Sequence, residues 1–201
     1  MEAALMRIVE TTMVGSAGTV KKLPESSLPE VAFAGRSNVG KSSLLNALSQ
    51  RRNLFKVSKS PGRTRTIVHV RARLDTGAEI YLVDLPGFGF AKVSKGMTEA
   101  WHKLIETYLE TRTTLHLVAV LVDVRRGIQE DELGLVEFLI SARVPVLLVA
   151  TKLDRVPKNK QKGMLDKIKK ETGVDIIGTS SVKKTGIEPL IDTIAKACGF
   201  R

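Results

Sequence analysis

The sequence predicts an α/β domain built on a mainly parallel sheet. From about residue 31 onwards, short apolar runs alternate with longer amphipathic runs, an order typical of parallel strands joined by helical right-handed crossovers. The chain has 201 residues, close to the size of a single domain. We expect residues 1–28 to form an N-terminal extension that could include a strand, and residues 29–201 to form the main domain.

The individual elements follow from the spacing of apolar residues. Runs with strand character occupy residues 31–34, 68–74, 80–83, 115–122, 145–150 and 174–179, and helical spacing occupies 42–49, 101–108, 133–140, 158–171 and 186–197. In residues 68–74 apolar positions alternate with His69, Arg71 and Arg73, which predicts one apolar and one basic face. A turn at 75–77 then predicts a hairpin with the strand at 80–83.

Composition bounds the class of protein. Hydrophobic residues at 43% and charged residues at 26% exclude disordered, collagen-like and membrane-spanning classes. A single cysteine, Cys198, suits a reducing cytosol, and the apolar stretches are too short to span a membrane. The 32 basic residues against 21 acidic ones give a net charge of +11, which favours an anionic partner such as nucleic acid or a membrane surface. A protein that is basic by chance is the alternative.

Residues 35–42, GRSNVGKS, form a complete G-x-x-x-x-G-K-[ST] pattern between a predicted strand and a predicted helix. The glycines let main-chain N–H groups surround phosphates at a helix N-terminus. Lys41 would bridge the terminal phosphates, and the Ser42 hydroxyl would bind Mg²⁺ directly. The pattern predicts nucleotide binding without separating ATPases, GTPases and kinases. A glycine-rich turn that matches by chance is the alternative.

Two further segments complete a predicted phosphate and magnesium site. Asp84-Leu85-Pro86-Gly87 ends a buried strand, where Asp84 can hold Mg²⁺ through water and the Gly87 amide can contact the terminal phosphate. Between the two motifs, the loop PGRTRT at 61–66 offers Thr64, with Thr66 as second choice, as a direct Mg²⁺ ligand.

Residues 151–154, TKLD, follow another buried strand and predict a guanine site. A carboxylate at Asp154 accepts hydrogen bonds from the guanine ring N–H and amine, which adenine cannot supply. Lys152 would lay its aliphatic stem along the base. Thr151 stands where most GTPases have asparagine, which leaves its contact with the base open. After the next strand, the Ser181 amide could meet the guanine carbonyl.

These motifs resemble the EngB (YihA/YsxC) family of bacterial ribosome-biogenesis GTPases, in the TRAFAC class near Era and EngA. The resemblance is carried by residues 35–45 (GRSNVGKSSLL), 61–65 (PGRTR), 84–95 (DLPGFGFAKVSK), Trp101 and TKLD, and it spans about 28–199. In that family threonine commonly heads the base motif, whereas tyrosines commonly stand where this chain has Phe88 and Phe90.

The resemblance implies a Ras-like P-loop GTPase fold, with a six-stranded mixed, mostly parallel sheet flanked by helices. It implies binding of GTP and GDP with Mg²⁺ and a role in assembly of the large ribosomal subunit, and so in normal cell division. We expect a cytoplasmic, ribosome-associated monomer. The expected nucleotide-binding residues are Gly35, Arg36, Ser37, Asn38, Val39, Gly40, Lys41, Ser42, Ser43, Pro61, Gly62, Arg63, Thr64, Asp84, Leu85, Pro86, Gly87, Thr151, Lys152, Asp154, Thr179, Ser180 and Ser181.

The residue after D-x-x-G predicts slow hydrolysis. Ras-like GTPases place there a glutamine that orients the attacking water, whereas this chain has Phe88. The expected catalytic groups are Lys41, Asn38, Thr64 and Gly87. In similar GTPases a loop asparagine binds K⁺, which predicts the same for Asn38; a role in shaping the loop alone is the equal alternative.

The positive charge is concentrated in one segment of the chain. Residues 51–74 contain no Asp or Glu, and their eight basic side chains are the predicted surface for ribosomal RNA: Arg51, Arg52, Lys56, Lys59, Arg63, Arg65, Arg71 and Arg73. The lysines of 158–170 form a second cluster, for which a solvated helix face is the alternative. Alternatives for the function are a P-loop kinase or ATPase, a GTPase on a membrane surface, and a GTP-binding scaffold with negligible hydrolysis.

Overall fold

A seven-stranded mixed sheet forms the centre of the molecule in a computed structural model, which describes residues 5–25, 27–55, 66–88 and 95–200, and side chains from 103 onwards in the last range. The strands are β1 (Ile8–Ala17), β2 (Glu30–Gly35), β3 (Ile67–Leu74), β4 (Glu79–Asp84), β5 (Leu115–Asp123), β6 (Val146–Thr151) and β7 (Ile176–Gly178). Their order across the sheet is β1-β3-β4-β2-β5-β6-β7. The predicted fold class, α/β with a mostly parallel sheet, is confirmed.

Within the described ranges, five α-helices cover the two faces of this sheet. They are α1 (Lys41–Leu48), α2 (Lys95–Thr111), α3 (Glu130–Ser141), α4 (Lys158–Thr172) and α5 (Ile187–Ala197). Apolar residues of α1 and α5 pack on one face, and those of α2, α3 and α4 pack on the other. No helix in the described ranges is long and apolar enough to cross a membrane.

The seventh strand comes from the N-terminal segment. Six strands were expected, and β1 adds one by pairing antiparallel with β3 at the end of the sheet. Its buried residues Ile8, Thr11 and Ala17 are spaced irregularly because the register shifts twice, at Val9 and at Val14. These bulges blur the alternation by which a strand is recognised from sequence.

The predicted hairpin forms, but its basic face is shorter than expected. β3 and β4 pair antiparallel, and Arg71 and Arg73 are exposed as the alternation predicts. His69, assigned to the same basic face, is fully buried, with Nε2 3.4 Å from Oε2 of the equally buried Glu30. A helix covers this end of β3, since the His69 ring lies edge-on to Tyr108 of α2. The basic face is therefore limited to the C-terminal half of β3, which carries Arg71 and Arg73.

Candidate nucleotide-binding site

The carboxyl ends of the parallel strands meet at one edge of the sheet. β2 ends at Gly35, β4 at Asp84, β6 at Thr151 and β7 at Gly178, and each of these strands is parallel to its neighbour in the β4-β2-β5-β6-β7 series. Ligands in open α/β sheets bind at this edge. The topology thus brings the three described motifs of the sequence together.

The loop between β2 and α1 has the tight backbone that a phosphate-binding loop requires. Gly40 has φ +112° and Asn38 has φ +64°, so two residues lie in the left-handed region. A β-carbon at Gly35 would lie 2.9 Å from Val39 Cγ1 and 3.0 Å from Leu121 Cβ, which leaves room only for glycine. α1 then begins at Lys41, so its free N–H groups face the loop.

Lys41 forms a buried ion pair with Asp84. The Lys41 ammonium donates to Asp84 Oδ1, and both side chains are at most a tenth exposed. Burial raises the pKa of Asp84 by more than the neighbouring Lys41 ammonium lowers it. A further cation here would stabilise the charged carboxylate. With the Ser42 hydroxyl one residue after Lys41, the donor set is of the hard oxygen type that suits Mg²⁺.

The chain after Asp84 pairs with the start of the phosphate loop. The Ser37 N–H donates to the Phe88 carbonyl at 3.1 Å, and the Phe88 N–H donates to the Gly35 carbonyl at 3.3 Å. A β-carbon at Gly87 would lie 3.0 Å from Ser37 Oγ. Gly87 and the phosphate loop are therefore in direct contact, as binding of the same terminal phosphate by both would require.

Thr151 ties the predicted base motif to the phosphate loop. Its hydroxyl lies 2.6 Å from the Val39 carbonyl, to which it donates, and 3.3 Å from the Val122 carbonyl. The side chain is 4% exposed, so it is enclosed between the two loops. This contact gives the threonine a structural task, which the sequence left open.

Asp154 is held by the loop that follows β7. The Ser180 hydroxyl donates to Asp154 Oδ1 at 2.6 Å, and the Leu153 N–H donates to the Thr179 carbonyl at 3.0 Å. Arg155 Nε lies 3.4 Å from the other carboxylate oxygen. The Asp154 carboxylate is thus oriented on one side by Ser180, at the place where the sequence predicts guanine.

Asp123, at the end of β5, is a polar residue of this edge that lies outside every predicted motif. Its Oδ2 accepts from Lys152 Nζ at 2.9 Å and from the Arg125 guanidinium at 2.6 Å. Lys152 also donates to the Asn38 carbonyl at 2.7 Å. A signal was present in the sequence, because Asp123 directly follows a buried apolar strand, but it belongs to no nucleotide-binding pattern.

Several predicted residues lie outside the described part of the chain. They are Lys56, Lys59, Pro61, Gly62, Arg63, Thr64 and Arg65, together with Phe90. The side chain of Trp101 is likewise outside the described set. The direct Mg²⁺ ligand expected at position 64 therefore stays a prediction.

The predicted basic surface is partly offset by acids from neighbouring strands. Arg73 donates to Glu10 of β1 at 2.8 Å, and Arg71 lies 3.8 Å from Glu79 of β4. Both pairs lie at the surface, so solvent screens them. Arg51 and Arg52 are exposed just after α1. The segment is acid-free only along the sequence, because β-pairing brings two glutamates to it.

A phosphate loop, an aspartate at the end of β4 and a TKLD motif, in this order on a mixed sheet, define the class of P-loop GTPases. A family model described as "50S ribosome-binding GTPase" matches residues 30–152. The chain belongs to the EngB family of GTP-binding proteins. It is 43% identical over 189 residues to the probable GTP-binding protein EngB of Lactococcus lactis subsp. cremoris (strain SK11), covering 92% of this chain and 95% of the relative.

Two solved structures show the same fold. A probable GTP-binding protein EngB superposes with a TM-score of 0.68 at 23% identity, covering 86% of this chain and all of that one. Era, in complex with MgGDPNP and a segment of 16S ribosomal RNA, superposes with a TM-score of 0.73 at 25% identity. That match covers 86% of this chain and 57% of Era. Membership of the family makes this chain a GTP-binding protein of the GTPase class.

Proposed function

We propose that this protein is a slowly hydrolysing GTP switch that acts in assembly of the large ribosomal subunit. The observation that carries the proposal is the convergence of Lys41, Asp84 and Asp154 on one sheet edge, with Asp154 held by Ser180. In this proposal Lys41 binds the phosphates, Asp84 holds Mg²⁺ through water, and Asp154 binds guanine. The proposed nucleotide contacts are the residues that the motifs predict, including those at 61–64.

The carboxylate of Asp154 selects guanine in this proposal. One oxygen already accepts from Ser180, and the carboxylate retains lone pairs for the guanine ring N–H and amine. Adenine presents neither donor in that arrangement, so a partly buried carboxylate would be left short of partners. Ser181 follows with its amide for the guanine carbonyl. Mg²⁺ would be held by Ser42 and Thr64 directly and by Asp84 through water, and it would neutralise phosphate charge.

Exchange of Asp154 tests the base site. In Asp154→Asn, an amide donor faces the guanine amine, so we expect GDP affinity to fall by about 10- to 100-fold. Affinity for xanthosine diphosphate, which carries a carbonyl in place of that amine, should rise, because the new amide donates to this carbonyl. The measurement is equilibrium titration with GDP, xanthosine diphosphate and ADP. Wild-type protein that binds ADP as well as GDP would favour the kinase or ATPase alternative.

Slow hydrolysis follows from the residue after Gly87. Phe88 packs partly buried against the apolar cluster beneath α2 and α3, and its ring cannot orient water. Asn38 lies exposed at the phosphate loop with its own carbonyl bound by Lys152. In our proposal its side chain binds K⁺, which supplies a fixed positive charge at the phosphates. Equal turnover in K⁺ and Na⁺ buffers, for wild type and Asn38→Ala alike, would remove K⁺ from the mechanism.

The ribosomal role rests on the family and on charge. The matching family model is described as ribosome-binding, and the net charge of +11 suits an RNA partner. GTP would order the loops around Thr64 and Gly87 and present Arg63 and Arg65 to RNA. The proposal places the protein in the cytoplasm, at the ribosome, as a monomer.

Co-sedimentation with large ribosomal subunits tests this role. We expect binding with a non-hydrolysable GTP analogue to exceed binding with GDP, and to weaken with rising salt. Binding that ignores the nucleotide would contradict the switch. Turnover at the level of a buffer blank, with subunits present, would favour the scaffold alternative. Sedimentation with anionic vesicles in place of ribosomes would favour the membrane-surface alternative.

A further inference from the structure

We propose that Asp123 is a positioning residue for the guanine nucleotide, acting through the ammonium group of Lys152. This inference rests on the proposed function, because it assigns a role within the same site. Asp123 ends β5, which lies in the sheet between β2, the strand before the phosphate loop, and β6, the strand before the base motif. It is therefore placed between the two halves of the nucleotide site.

The contacts of Asp123 leave its carboxylate fully engaged and charged. Oδ1 accepts from the Arg125 backbone N–H at 3.1 Å and from Arg125 Nε at 2.9 Å, and Oδ2 accepts from the Arg125 guanidinium at 2.6 Å and from Lys152 at 2.9 Å. Burial raises the pKa of Asp123, but the hydrogen bonds from Arg125 and Lys152 outweigh it and hold the pKa well below its usual range. The side chain is 9% exposed.

Lys152 links this carboxylate to the phosphate loop. Its ammonium group donates both to Asp123 Oδ2 and to the Asn38 carbonyl, at 2.9 and 2.7 Å. Its backbone takes the left-handed conformation with φ +60°, so the residue is held at both ends. With the ammonium fixed, the aliphatic stem passes beside Gly40, where a β-carbon would lie 3.8 Å from Lys152 Cε. A stem that forms a wall of the base site is thereby ordered before the nucleotide arrives, which reduces the entropy lost on binding.

Asp123 could instead serve only the turn after β5. The Arg126 N–H donates to the Asp123 carbonyl at 2.9 Å, and the Arg125 N–H to Oδ1, as in a common aspartate turn. That role needs only Oδ1, and the oxygen Oδ2 that contacts Lys152 is not required for it. Asparagine has the same shape and can accept the same turn bond. Asp123→Asn therefore keeps the turn and removes the charge that holds Lys152.

The test is a double-mutant cycle on GDP affinity, with Asp123→Asn, Lys152→Met and the combined variant. We expect Asp123→Asn to weaken GDP binding by about tenfold, mainly through faster dissociation. In the Lys152→Met background the same exchange should change affinity less than about twofold. Asp175→Asn is the matched control, because Asp175 also pairs with a lysine, Lys169, at 2.7 Å, but on the exposed surface after α4. It should bind GDP like wild type.

Two results would overturn the inference: wild-type affinity in Asp123→Asn, or a tenfold loss that persists in the Lys152→Met background, which would mean that Asp123 acts through the turn alone. If Asp123→Asn does not fold, Asp123→Ser gives the same test, because a serine hydroxyl can accept the turn bond and carries no charge that holds Lys152. It should weaken GDP binding by about tenfold, again only when Lys152 is present. Failure of the proposed function looks different, since the wild type would then not prefer GDP to ADP.

Discussion

Gly186 holds the last loop of the candidate nucleotide site in a conformation that no other residue fits. Its φ is +71°, and a β-carbon would lie 2.1 Å from the Gly178 carbonyl oxygen at the end of β7. The loop between them contains Thr179, Ser180 and Ser181, and it is closed by a bridge between Ser180 and Thr185. Close packing at Gly186 therefore sets the position of the hydroxyl that orients Asp154.

The exchange Gly186→Ala should lower the free energy of unfolding by roughly 2–4 kcal/mol, because it adds both a disfavoured φ and a backbone clash. Gly134 provides the control. It lies exposed in the middle of α3, and a β-carbon there would meet nothing within 4 Å, so Gly134→Ala should stabilise by about 0.5–1 kcal/mol. Urea unfolding of the three proteins measures both effects. Equal stability of both variants would contradict the assignment.

At the scale of elements, a buried polar network joins α2 to the sheet at the end opposite the nucleotide. Glu30, at the start of β2, is fully buried and accepts from the Tyr108 hydroxyl at 2.7 Å and from Thr114 at 2.9 Å. It also accepts from Arg112, which in turn donates to the Pro24 carbonyl at 3.1 Å. The network thus ties three parts of the chain to the central strand. It holds the C-terminal end of α2, the helix that follows the D-x-x-G motif.

Removal of the Tyr108 hydroxyl tests the strength of this attachment. Tyr108→Phe takes one donor from a buried carboxylate, and we expect a loss of about 1–2 kcal/mol in the free energy of unfolding. The control is Tyr81→Phe, at the only other tyrosine of the chain, which is partly exposed on β4 and should change stability by less than about 0.5 kcal/mol. Chemical denaturation of both variants gives the comparison. A larger loss of stability in Tyr81→Phe than in Tyr108→Phe would contradict this role of the Tyr108 hydroxyl.

The same network predicts how stability changes in acid. Burial raises the pKa of Glu30, but the close contact of His69 and the hydrogen bonds from Arg112 and Tyr108 outweigh it and hold the pKa far below the ordinary value of 4.5. The unfolded chain therefore takes up a proton below about pH 4.5 that the folded protein does not. The stabilisation by ionised Glu30 is complete above that pH and is lost as the pH falls.

Glu30→Gln should accordingly be less stable than wild type at pH 7 and show a shallower decline in stability between about pH 5 and pH 3. Urea unfolding at a series of pH values measures both slopes. Parallel declines in the two proteins would mean that other carboxylates control the acid sensitivity.

At the scale of the whole molecule, strand pairing redistributes the positive charge. The +11 excess includes Arg71 and Arg73, whose side chains face Glu79 and Glu10 across the sheet. On α4, Lys169 and Lys167 are likewise paired, with Asp175 and Glu171. Arg51 and Arg52 are exposed and precede the segment 56–65 in the chain. In the proposed function, the part of the charge that these pairs leave for an RNA partner lies after α1 and on the other exposed lysines of α4, Lys158, Lys160, Lys162 and Lys170.

Two double variants that each remove two positive charges test which arginines bind RNA. Arg51→Gln with Arg52→Gln should weaken binding to large ribosomal subunits and reduce the salt dependence by close to two counterions, since each arginine neutralises about one phosphate. Arg71→Gln with Arg73→Gln should have less effect, because these two arginines already have glutamate partners. Co-sedimentation at salt concentrations between about 50 and 200 mM measures both. Equal losses in the two pairs would mean that net charge alone controls binding.

Short sequence patterns were sufficient to predict the helices, the strands and the class of site. The α/β order, the β3–β4 hairpin and the helix positions follow from apolar spacing, and the phosphate loop is complete within eight residues. β1 was harder to predict because its two bulges disturb the alternation. His69 was placed on the exposed face because alternation reports which side a residue takes, but not whether a helix covers that side.

By itself, the sequence determined the fold class and the family, and it predicted the residues for a guanine nucleotide, because each of these depends on short patterns of neighbouring residues. Only the tertiary structure decided how residues far apart in the chain are paired. It placed Thr151 against Val39, Lys152 between Asn38 and Asp123, and glutamates opposite two arginines of the basic segment. These contacts arise from strand order and register, which bring residues from different parts of the chain to one edge of the sheet.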